Sequence, residues 1–395
     1  MTIFDVRPGA GLQRAPEGDG WVAASHAAVN AVLREPGWSN DHRKATGHAE
    51  YQAERGIPEV ADEFLAKVLV FMDAPDHTRL RGLISKAFTP RSIERLRPRI
   101  SQLTDELLAP LREAGRFDVI NDFAFPLPVT VICELLGVPA EDREMFRQQT
   151  RDMAVVLDWD VTAEQFGGAA GAAMNFAAYL VPLFEERRRS PKADLVSALV
   201  AAEEAGDRLE ADELLMTVVL LLTAGHETTM NLIGNGLLAL LRNPDQLELL
   251  RTRPELMPSA VEELLRYDSP VRLTVRTALA DATVAGEAVR AGEQVIAMLD
   301  AANHDPAVFE SPGTLDVTRD AHRHMAFGAG AHYCLGAALA RAEAQVALAA
   351  LTALPDLELA IDEPAWRPLV TFHALQSLPV TCRAGAFEPF GNGYR

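Results

Sequence analysis

Residues 327–336 read Phe-Gly-Ala-Gly-Ala-His-Tyr-Cys-Leu-Gly, and this loop says more about the fold than any other stretch of the chain. Glycines in a loop let the backbone approach a ligand closely or adopt a left-handed turn. An alanine-rich helix is predicted to begin at Ala337, which places Cys334 at a helix N-terminus, where the helix dipole and free N–H groups favour a thiolate. From these residues alone, Cys334 is a nucleophile, a metal ligand or a buried structural cysteine.

The loop resembles the haem-binding loop of the cytochrome P450 family at every position that the family fixes: Phe327, Gly328, Gly330, His332, Cys334 and Gly336. The resemblance implies that Cys334 is the thiolate ligand of the iron of haem b (iron protoporphyrin IX). Such a thiolate donates electron density to the iron and favours cleavage of the O–O bond. The resemblance also implies that Phe327 packs near the sulfur, that Gly328 and Gly336 lie against the cofactor, and that His332 reaches a haem propionate.

A second motif lies upstream in a long apolar helix, where residues 224–229 read Ala-Gly-His-Glu-Thr-Thr and resemble the oxygen-activating segment of the family. Gly and Thr are poor helix formers. The hydroxyl of Thr228 can bond the carbonyl of Ala224 and loosen the helix there. The resemblance implies a notch at Ala224 that holds O2, with Thr228 as a hydrogen-bond donor and Glu227 as a proton relay. The alternative is two ordinary back-bonding threonines with Glu227 on the solvent face.

Glu263 and Arg266 resemble the short Glu-x-x-Arg motif of the family. Alone this spacing means little, because an i, i+3 pair on an exposed face contributes only a few tenths of a kcal/mol. The resemblance implies a buried, structural pair, with Arg319 as the third member of its network.

Haem carries two propionates, and these require cations. His77, Arg81 and Arg276 resemble the residues that bind propionates in the family. Arginine suits this task because its planar guanidinium binds two carboxylate oxygens at once. Each of the three could instead be a solvated surface charge, which is our interpretation of Arg79.

The chain has 395 residues with 37 Lys and Arg against 56 Asp and Glu, so its net charge is −19. This acidic balance argues against nucleic-acid binding, which needs a basic surface to displace counterions from phosphates. The three cysteines are too few and too scattered for a disulfide framework or a zinc knuckle, which favours a reducing, cytoplasmic location.

The sequence predicts no membrane segment. The N-terminal residues lack the apolar core of a secretory signal. Residues 166–184 are uncharged and long enough to span a bilayer, but they are mostly Ala and Gly, unlike a spanning helix. Residues 214–225 are more apolar and are better explained as part of a buried core helix.

Apolar residues at three- and four-residue spacing predict helices over residues 95–113, 207–242, 257–267 and 337–354. Extended patterns predict β structure over residues 271–278, over 282–298 with Gly286 and Gly292 at turns, and over 370–381. We therefore expect one monomeric, mainly α domain over residues 1–395 with a smaller β region, the cytochrome P450 fold that the resemblance implies.

The resemblance implies a mostly apolar substrate pocket lined by Val70, Met72, Leu221, Val271, Arg272, Thr274, Gln376 and Leu378. Arg272 is unusual there, because an unpaired charge in such a pocket is costly. It either extends outward to solvent or meets a carboxylate or carbonyl of the substrate.

The implied function is a monooxygenase that inserts one oxygen atom from O2 into a small organic substrate, by hydroxylation or epoxidation. The resemblance to bacterial tailoring enzymes implies a secondary metabolite such as a polyketide or macrolide. Two alternatives remain: a peroxygenase of the same fold driven by H2O2, and a haem-binding sensor or carrier without turnover. Neither needs a proton relay, so the presence of Glu227 and Thr228 favours the monooxygenase.

Seven basic residues and one acid, Glu94, lie between Arg79 and Arg99, a local charge of +6 in an acidic chain. In the family this helical region lies near the cysteine ligand. The resemblance implies a ferredoxin, with its ferredoxin reductase, as electron donor, and an acidic ferredoxin would be steered to this segment. Alternatively the arginines pair with carboxylates elsewhere, which we expect of one or two of them.

Overall fold

The structure is a computed structural model that describes residues 6–15, 20–139, 142, 145–159, 161–204 and 209–385. The α-helices of this part of the chain are α1 (His26–Arg34), α2 (His48–Arg55), α3 (Val60–Leu65), α4 (Asp76–Ile84), α5 (Pro90–Glu94), α6 (Arg97–Ala114), α7 (Pro126–Leu136), α8 (Phe146–Ala154), α9 (Ala163–Arg189), α10 (Leu195–Glu204), α11 (Ala211–Arg242), α12 (Pro244–Thr252), α13 (Met257–Tyr267), α14 (Leu299–Asn303) and α15 (Ala337–Thr352). A π-helical turn, Val119–Ala124, precedes α7.

The strands are β1 (Leu12–Arg14), β2 (Trp21–Ala23), β3 (Trp38–Ser39), β4 (Arg116–Asp118), β5 (Leu273–Ala278), β6 (Ala282–Val284), β7 (Glu287–Val289), β8 (Gln294–Met298), β9 (Glu358–Leu359) and β10 (Pro379–Thr381). They form sheets in the orders β1-β2-β8-β5-β3, β4-β10-β9 and β6-β7. The strands β5 and β8 pair antiparallel with Arg276 opposite Val295. The fold is therefore mainly α with a smaller β region, as predicted.

Helix α11 is the long central helix, and most of its residues are buried. It ends before Pro244, which lacks the N–H needed to continue a helix. Glycines on its surface allow close packing, because a Cβ at Gly234 would lie 2.4 Å from Ile120 and one at Gly225 would lie 3.2 Å from Ile132. The position of α11 against the π-helical turn and α7 thus depends on positions without a side chain.

The predicted helices correspond to α6, α11, α13 and α15, although residues 207 and 208 of the second prediction lie outside the described residues. The predicted β structure over residues 271–278 and 282–298 is also present. The strands β6 and β7 pair around Gly286, and β8 joins β5 and β2 in the large sheet. The chain turns at Gly292, whose φ is +84°. Residues 370–381 become a strand only from Pro379.

A buried ion-pair network connects α13 to the segment that precedes the cysteine loop. Arg266 donates to both carboxylate oxygens of Glu263, at 2.7 and 2.8 Å, and neither side chain has exposed surface. Arg266 also donates to the backbone carbonyls of Asn303 and Pro312, at 3.0 and 2.8 Å. Arg319 donates to Glu263 at 3.1 Å and to the carbonyl of Glu310 at 2.7 Å. The three predicted members are therefore in contact, and they hold loop backbone in place.

Two helical stretches in the described residues are long and apolar enough to cross a membrane by length and composition: residues 119–136, 67% buried, and residues 163–189, 28% buried. Buried core helices of soluble proteins pass the same test, which accounts for residues 119–136. The second stretch contains residues 166–184, the uncharged segment noted in the sequence.

Substitution of Glu263 by Gln should lower the free energy of unfolding by about 3–5 kcal/mol, because it leaves the buried guanidinium of Arg266 without its counter-charge. Urea unfolding followed by far-UV circular dichroism measures the change. The matched control is Glu94→Gln, since Glu94 pairs with Arg97 at the same i, i+3 spacing but is 63% exposed, and its loss should cost at most about 1 kcal/mol. Equal effects of the two substitutions would contradict a structural role for the network.

Candidate active site

The cysteine loop is held in place by its own backbone. The N–H of Cys334 donates to the carbonyl of Phe327 at 2.9 Å. Gly328 and Gly330 have φ values of +66° and +71°, in the left-handed region. At Gly330 a side chain is impossible, because a Cβ would lie 2.2 Å from the carbonyl oxygen of Leu33. The loop therefore needs glycine at these positions to return the chain to the cysteine.

Helix α15 begins at Ala337, so Cys334 lies just before a helix N-terminus, as predicted. The backbone N–H groups of Gly336 and Ala337 hydrogen-bond its sulfur. Burial nevertheless raises the pKa of the Cys334 thiol, although these N–H groups and the nearby Arg81 lower it. The side chain of Cys334 keeps accessible surface. The two N–H groups and Arg81 thus favour the negatively charged form of the sulfur, which is the form that binds a metal cation.

Four groups that can carry positive charge lie near one another at the cysteine loop: His77 and Arg81 on α4, Arg276 on β5, and His332 in the loop. Of these, Arg81 lies near the sulfur of Cys334. The rings of His77 and His332 are 3.9 Å apart. Burial, together with the charges of His77 and Arg276, lowers the pKa of His332 to about 3. Burial lowers the pKa of Arg276 to about 10. Burial and mutual repulsion therefore disfavour the charged forms of the groups in this cluster.

None of these cations forms an ion pair with a carboxylate among the described residues. Arg276 is only 6% exposed and donates to the hydroxyl of Thr274 and the carbonyl of Val275, at 2.9 and 2.8 Å. Arg81 donates to the carbonyl of Tyr333 at 2.5 Å. The buried Nε2 of His77 has no hydrogen-bond partner in the described part of the chain.

These unsatisfied groups fit haem. Two propionates would supply the counter-charges that buried cations require. Gly328 adds a second observation, because a Cβ there would meet no atom within 4 Å, so open space lies above the loop. A thiolate, an open space and a set of unpaired cations are the groups that a dianionic haem needs around it.

Helix α11 carries the second part of the site. Thr228 donates from its hydroxyl to the carbonyl of Ala224 at 3.0 Å, as predicted from the sequence. The helix nevertheless remains a continuous α-helix through this motif. Glu227 is 1% exposed and forms an ion pair with Arg367, which corrects the alternative of a solvent-facing Glu227. Its Oε2 has no hydrogen-bond partner among the described residues. Oε1 of Glu227 is thus held by Arg367, whereas Oε2 can accept a hydrogen bond or a proton.

His226, between these residues, is fully buried. Its Nδ1 lies 2.8 Å from the carbonyl of Leu222, and its Nε2 lies 3.8 Å from Oε2 of Glu227. Burial lowers the pKa of His226, so the ring is neutral near pH 7. It packs edge-on against the ring of Phe125 at 5.2 Å.

The residues predicted to line the substrate pocket have varied environments. Met72 and Leu378 are buried, Leu221, Val271 and Thr274 are partly buried, and Gln376 and Val70 are exposed, Val70 by 37%. A small apolar cavity of about 10 Å³ is lined by Val68, Met153, Val156, Leu157 and the face of α11 formed by Met216, Val219, Leu220 and Thr223. Its α11 residues precede Ala224 on the same helix.

Arg272 has a partner within the protein. Its Nε lies 3.2 Å from Oδ2 of Asp300, a pairing that was not among the two arrangements expected from the sequence. Both residues border a cavity of about 450 Å³ that is also lined by Tyr267, His304 and His373 and does not include Cys334, Glu227 or Thr228. This cavity is therefore separate from the cysteine loop, and the hypothesis that Arg272 binds a substrate carboxylate stays a prediction.

Two arginines that contact residues of the candidate site were not predicted from the sequence. Arg367 meets Glu227 across 140 residues of chain, and no local pattern marks it. Arg341, on α15, binds both carboxylate oxygens of Glu262 at 2.6 and 2.7 Å, and its guanidinium lies 4.5 Å from the ring of Phe327. Although burial opposes it, hydrogen bonding to Arg341 and His324 lowers the pKa of Glu262 to about 2. A lone arginine in the alanine-rich α15 was the available signal for this second pair.

The basic segment from Arg79 to Arg99 is partly neutralised. Arg79 binds Glu213, so our interpretation of it as a solvated charge is wrong. Arg97 pairs with Glu94, and Arg99 pairs with Glu134. The remaining exposed basic residues, which form no ion pair with another described residue, are Lys86, Arg91 and Arg95. We call these three the exposed basic patch.

The patch is close to the cysteine loop in the fold. It flanks α5, which packs on α15, and Arg97 donates to Gln345 of α15 at 2.9 Å. On the other side, Arg81 of α4 contacts the backbone of Tyr333, next to Cys334.

Comparison with known proteins identifies one family. The model of the family described as "Cytochrome P450" matches residues 39–359. The chain is 44% identical to the "Polyketide biosynthesis cytochrome P450 PksS" of Bacillus subtilis, over 91% of this chain and 88% of the relative. It is 40% identical to the "6-deoxyerythronolide B hydroxylase" of Saccharopolyspora erythraea, over 92% of this chain and 90% of the relative. The crystal structure of CalO2 superposes with a TM-score of 0.87 at 36% identity, over 97% of this chain and 95% of that chain.

Substitution of Arg276 by Met should accelerate loss of haem by about 10- to 100-fold, since a hydrogen bond to a charged group contributes about 1.5–3 kcal/mol. Transfer of haem to excess apomyoglobin, followed in the Soret band, measures the rate. The control is Arg290→Met, an exposed arginine that follows β7, and it should leave the rate unchanged. Equal rates for Arg276→Met and the unsubstituted protein would show that Arg276 binds no propionate.

Proposed function

The chain belongs to the cytochrome P450 family, a family of haem-iron monooxygenases, and from that premise we propose that it inserts one atom of O2 into a small, mostly apolar secondary metabolite. The cofactor form we propose is haem b, with Cys334 as the iron ligand. One observation carries the proposal: the accessible sulfur of Cys334 accepts hydrogen bonds from two backbone N–H groups, and Arg81 links it to a cluster that contains the buried Arg276 and His77.

When bound, the haem iron supplies the redox chemistry that activates O2 and cleaves the O–O bond. The chain supplies the charges and protons around it. The N–H groups of Gly336 and Ala337 stabilise negative charge on the sulfur of Cys334 and so tune its donation to iron. Arg81, Arg276 and His332 would hold the propionates and fix the orientation of the ring.

Hydroxylation of a substrate R–H with O2 gives R–OH and water, and it requires two electrons and two protons. The protons must reach a buried site, which Glu227 and Thr228 serve. Glu227 is held by Arg367, and its second oxygen can pass a proton toward the Thr228 hydroxyl. Arg367 keeps 21% of its side chain exposed, so it connects the buried carboxylate with solvent. These features support proton delivery, whereas a peroxygenase would have no use for them.

The proposed substrate class is a polyketide or macrolactone. Relatives with 40–44% identity include one named for polyketide biosynthesis and one named for hydroxylation of 6-deoxyerythronolide B. The side chains of α11 that face the small apolar cavity are mostly apolar, namely Val219, Leu220 and Met216, with Thr223 as a polar group, which is the lining that an apolar substrate needs. We also propose a cytoplasmic location, which suits three free cysteines.

Turnover in 18O2 tests the proposal. The holoenzyme is supplied with NADPH, a ferredoxin and its reductase, and a panel of macrolactones that begins with 6-deoxyerythronolide B. We expect the product of any turned-over compound to contain one 18O atom from O2 and none from labelled water. Product oxygen derived from water would contradict a monooxygenase.

Substitution of Arg367 by Met should uncouple the reaction, because the buried Glu227 would lose the cation that holds it. We expect product formed per NADPH to fall several-fold with a matching rise in H2O2, while substrate affinity in a spectral titration stays unchanged.

Glu227→Gln should reduce the rate of product formation by about 100-fold, the usual contribution of a proton-transfer group. The control is Arg383→Met, since Arg383 forms an exposed ion pair with Asp356. Unaltered coupling in Arg367→Met would refute this role.

We further propose that an acidic ferredoxin delivers electrons at the exposed basic patch, Lys86, Arg91 and Arg95. Their charges are not neutralised by other described residues, and they lie beside α15, which begins next to Cys334. Steering by charge raises association rates between opposite surfaces even when the rest of the protein is acidic.

The double substitution Arg91→Glu and Arg95→Glu should slow reduction by an acidic ferredoxin about 10-fold or more at low salt, with a smaller effect at high salt because ions screen exposed charges. Stopped-flow reduction under carbon monoxide measures the rate. The control is Arg189→Glu, an exposed basic residue at the end of α9. The docking proposal fails if the double variant is reduced as fast as the control.

A further inference from the structure

Three metal-ligating side chains meet outside the haem site: His42, His48 and Asp62, which we call the His–His–Asp cluster. They belong to three consecutive elements, the short 3-10 helix His42–Lys44, α2 and α3. The Nε2 atom of His48 lies 2.9 and 3.1 Å from the two carboxylate oxygens of Asp62. The Nε2 atom of His42 lies 3.3 Å from Oδ1 of Asp62. All three ligand atoms lie within 4.8 Å of one another.

These distances suit a small divalent ion. Zinc bonds of about 2.0 Å at tetrahedral angles place neighbouring ligand atoms about 3.3 Å apart. Two imidazole nitrogens and one carboxylate oxygen are typical zinc ligands, whereas Mg²⁺ and Ca²⁺ prefer oxygen alone. The side chains of His42, His48 and Asp62 are 25%, 15% and 21% exposed. An ion can therefore enter from solvent, and water can fill a fourth position.

The carboxylate and one of the imidazoles are already held by neighbours. Gln52, which is only 6% exposed, donates from its side-chain amide to Oδ1 of Asp62 at 2.9 Å. The ring of His42 packs edge-on against Phe71, with ring centres 5.4 Å apart. Such outer contacts orient ligands, and their loss typically weakens metal binding by about 10- to 100-fold.

We propose that the His–His–Asp cluster binds one Zn²⁺ ion through Nε2 of both histidines and one oxygen of Asp62, with water as the fourth ligand. The ion joins the 3-10 helix, α2 and α3, and it orders the chain over residues 42–65. This segment leads directly into Val70 and Met72, the residues predicted to line the substrate pocket. Binding moves the proton of each Nε2 to Nδ1 or releases it to solvent, so the histidines act as neutral ligands.

Calorimetric titration of the metal-stripped holoenzyme with Zn²⁺ tests the site. We expect about one equivalent to bind, with affinity reduced at least 10-fold in His48→Ala and about 10- to 100-fold in Gln52→Met. The control is His322→Ala, since His322 is a 77% exposed histidine outside the cluster, and its loss should leave binding unchanged. The proposal is overturned if no Zn²⁺ binds, or if His48→Ala and His322→Ala bind it equally well.

Two further measurements do not depend on turnover. X-ray absorption at the zinc edge, which is separate from that of iron, should show nitrogen and oxygen neighbours at about 2.0 Å with imidazole scattering. Hydrogen exchange should slow over residues 42–65 when Zn²⁺ is added to the holoenzyme, and this slowing should be absent in His48→Ala. Sulfur atoms bound to the zinc in the absorption data, or hydrogen exchange over residues 42–65 that is unchanged by Zn²⁺, would contradict the proposed site.

Discussion

The bond network at the sulfur of Cys334 is the constraint on which the rest of the structure depends. A sulfur that keeps negative charge inside a protein needs N–H donors, and here they come from Gly336 and Ala337 at the start of α15. This arrangement requires a tight turn in the loop before Cys334. Gly330 allows that turn, because any side chain at this position would collide with the backbone of Leu33. It also requires a rigid support, which the network of Glu263, Arg266 and Arg319 provides for the preceding segment.

Charge explains how the two halves of the site differ. On the cysteine side, Arg276 and His77 are buried and form no ion pair with a carboxylate among the described residues, which suits an anionic cofactor. On the α11 side, Glu227 already has Arg367, and only one oxygen is left for chemistry. The cations on the cysteine side can therefore hold a large anion, whereas Arg367 on the α11 side holds the single carboxylate of Glu227 at the place where a proton is needed.

Much of this could be predicted because it is local. Cys334, its helix and the Thr228 hydrogen bond each follow from a few adjacent residues, and the long helices follow from apolar spacing. The remainder is non-local. The pair Arg367–Glu227 joins segments that are far apart in the sequence. The pair Arg272–Asp300 borders a cavity that the sequence does not reveal. The pairing of β8 with β5 and β2 was missed for the same reason, since alternation marks a strand but does not choose its neighbour.

The absorption spectrum of the reduced, carbon-monoxide-bound protein tests the central claim most directly. Thiolate ligation by Cys334 predicts a strongly red-shifted Soret band for the purified holoprotein. Cys334→His should still bind haem through the unchanged cations of Arg81 and Arg276, but its Soret band should lie at the shorter wavelength of a nitrogen-ligated haem. A purified protein that binds haem without the red shift, or a Cys334→His variant that retains it, would contradict the assignment of Cys334 as the iron ligand.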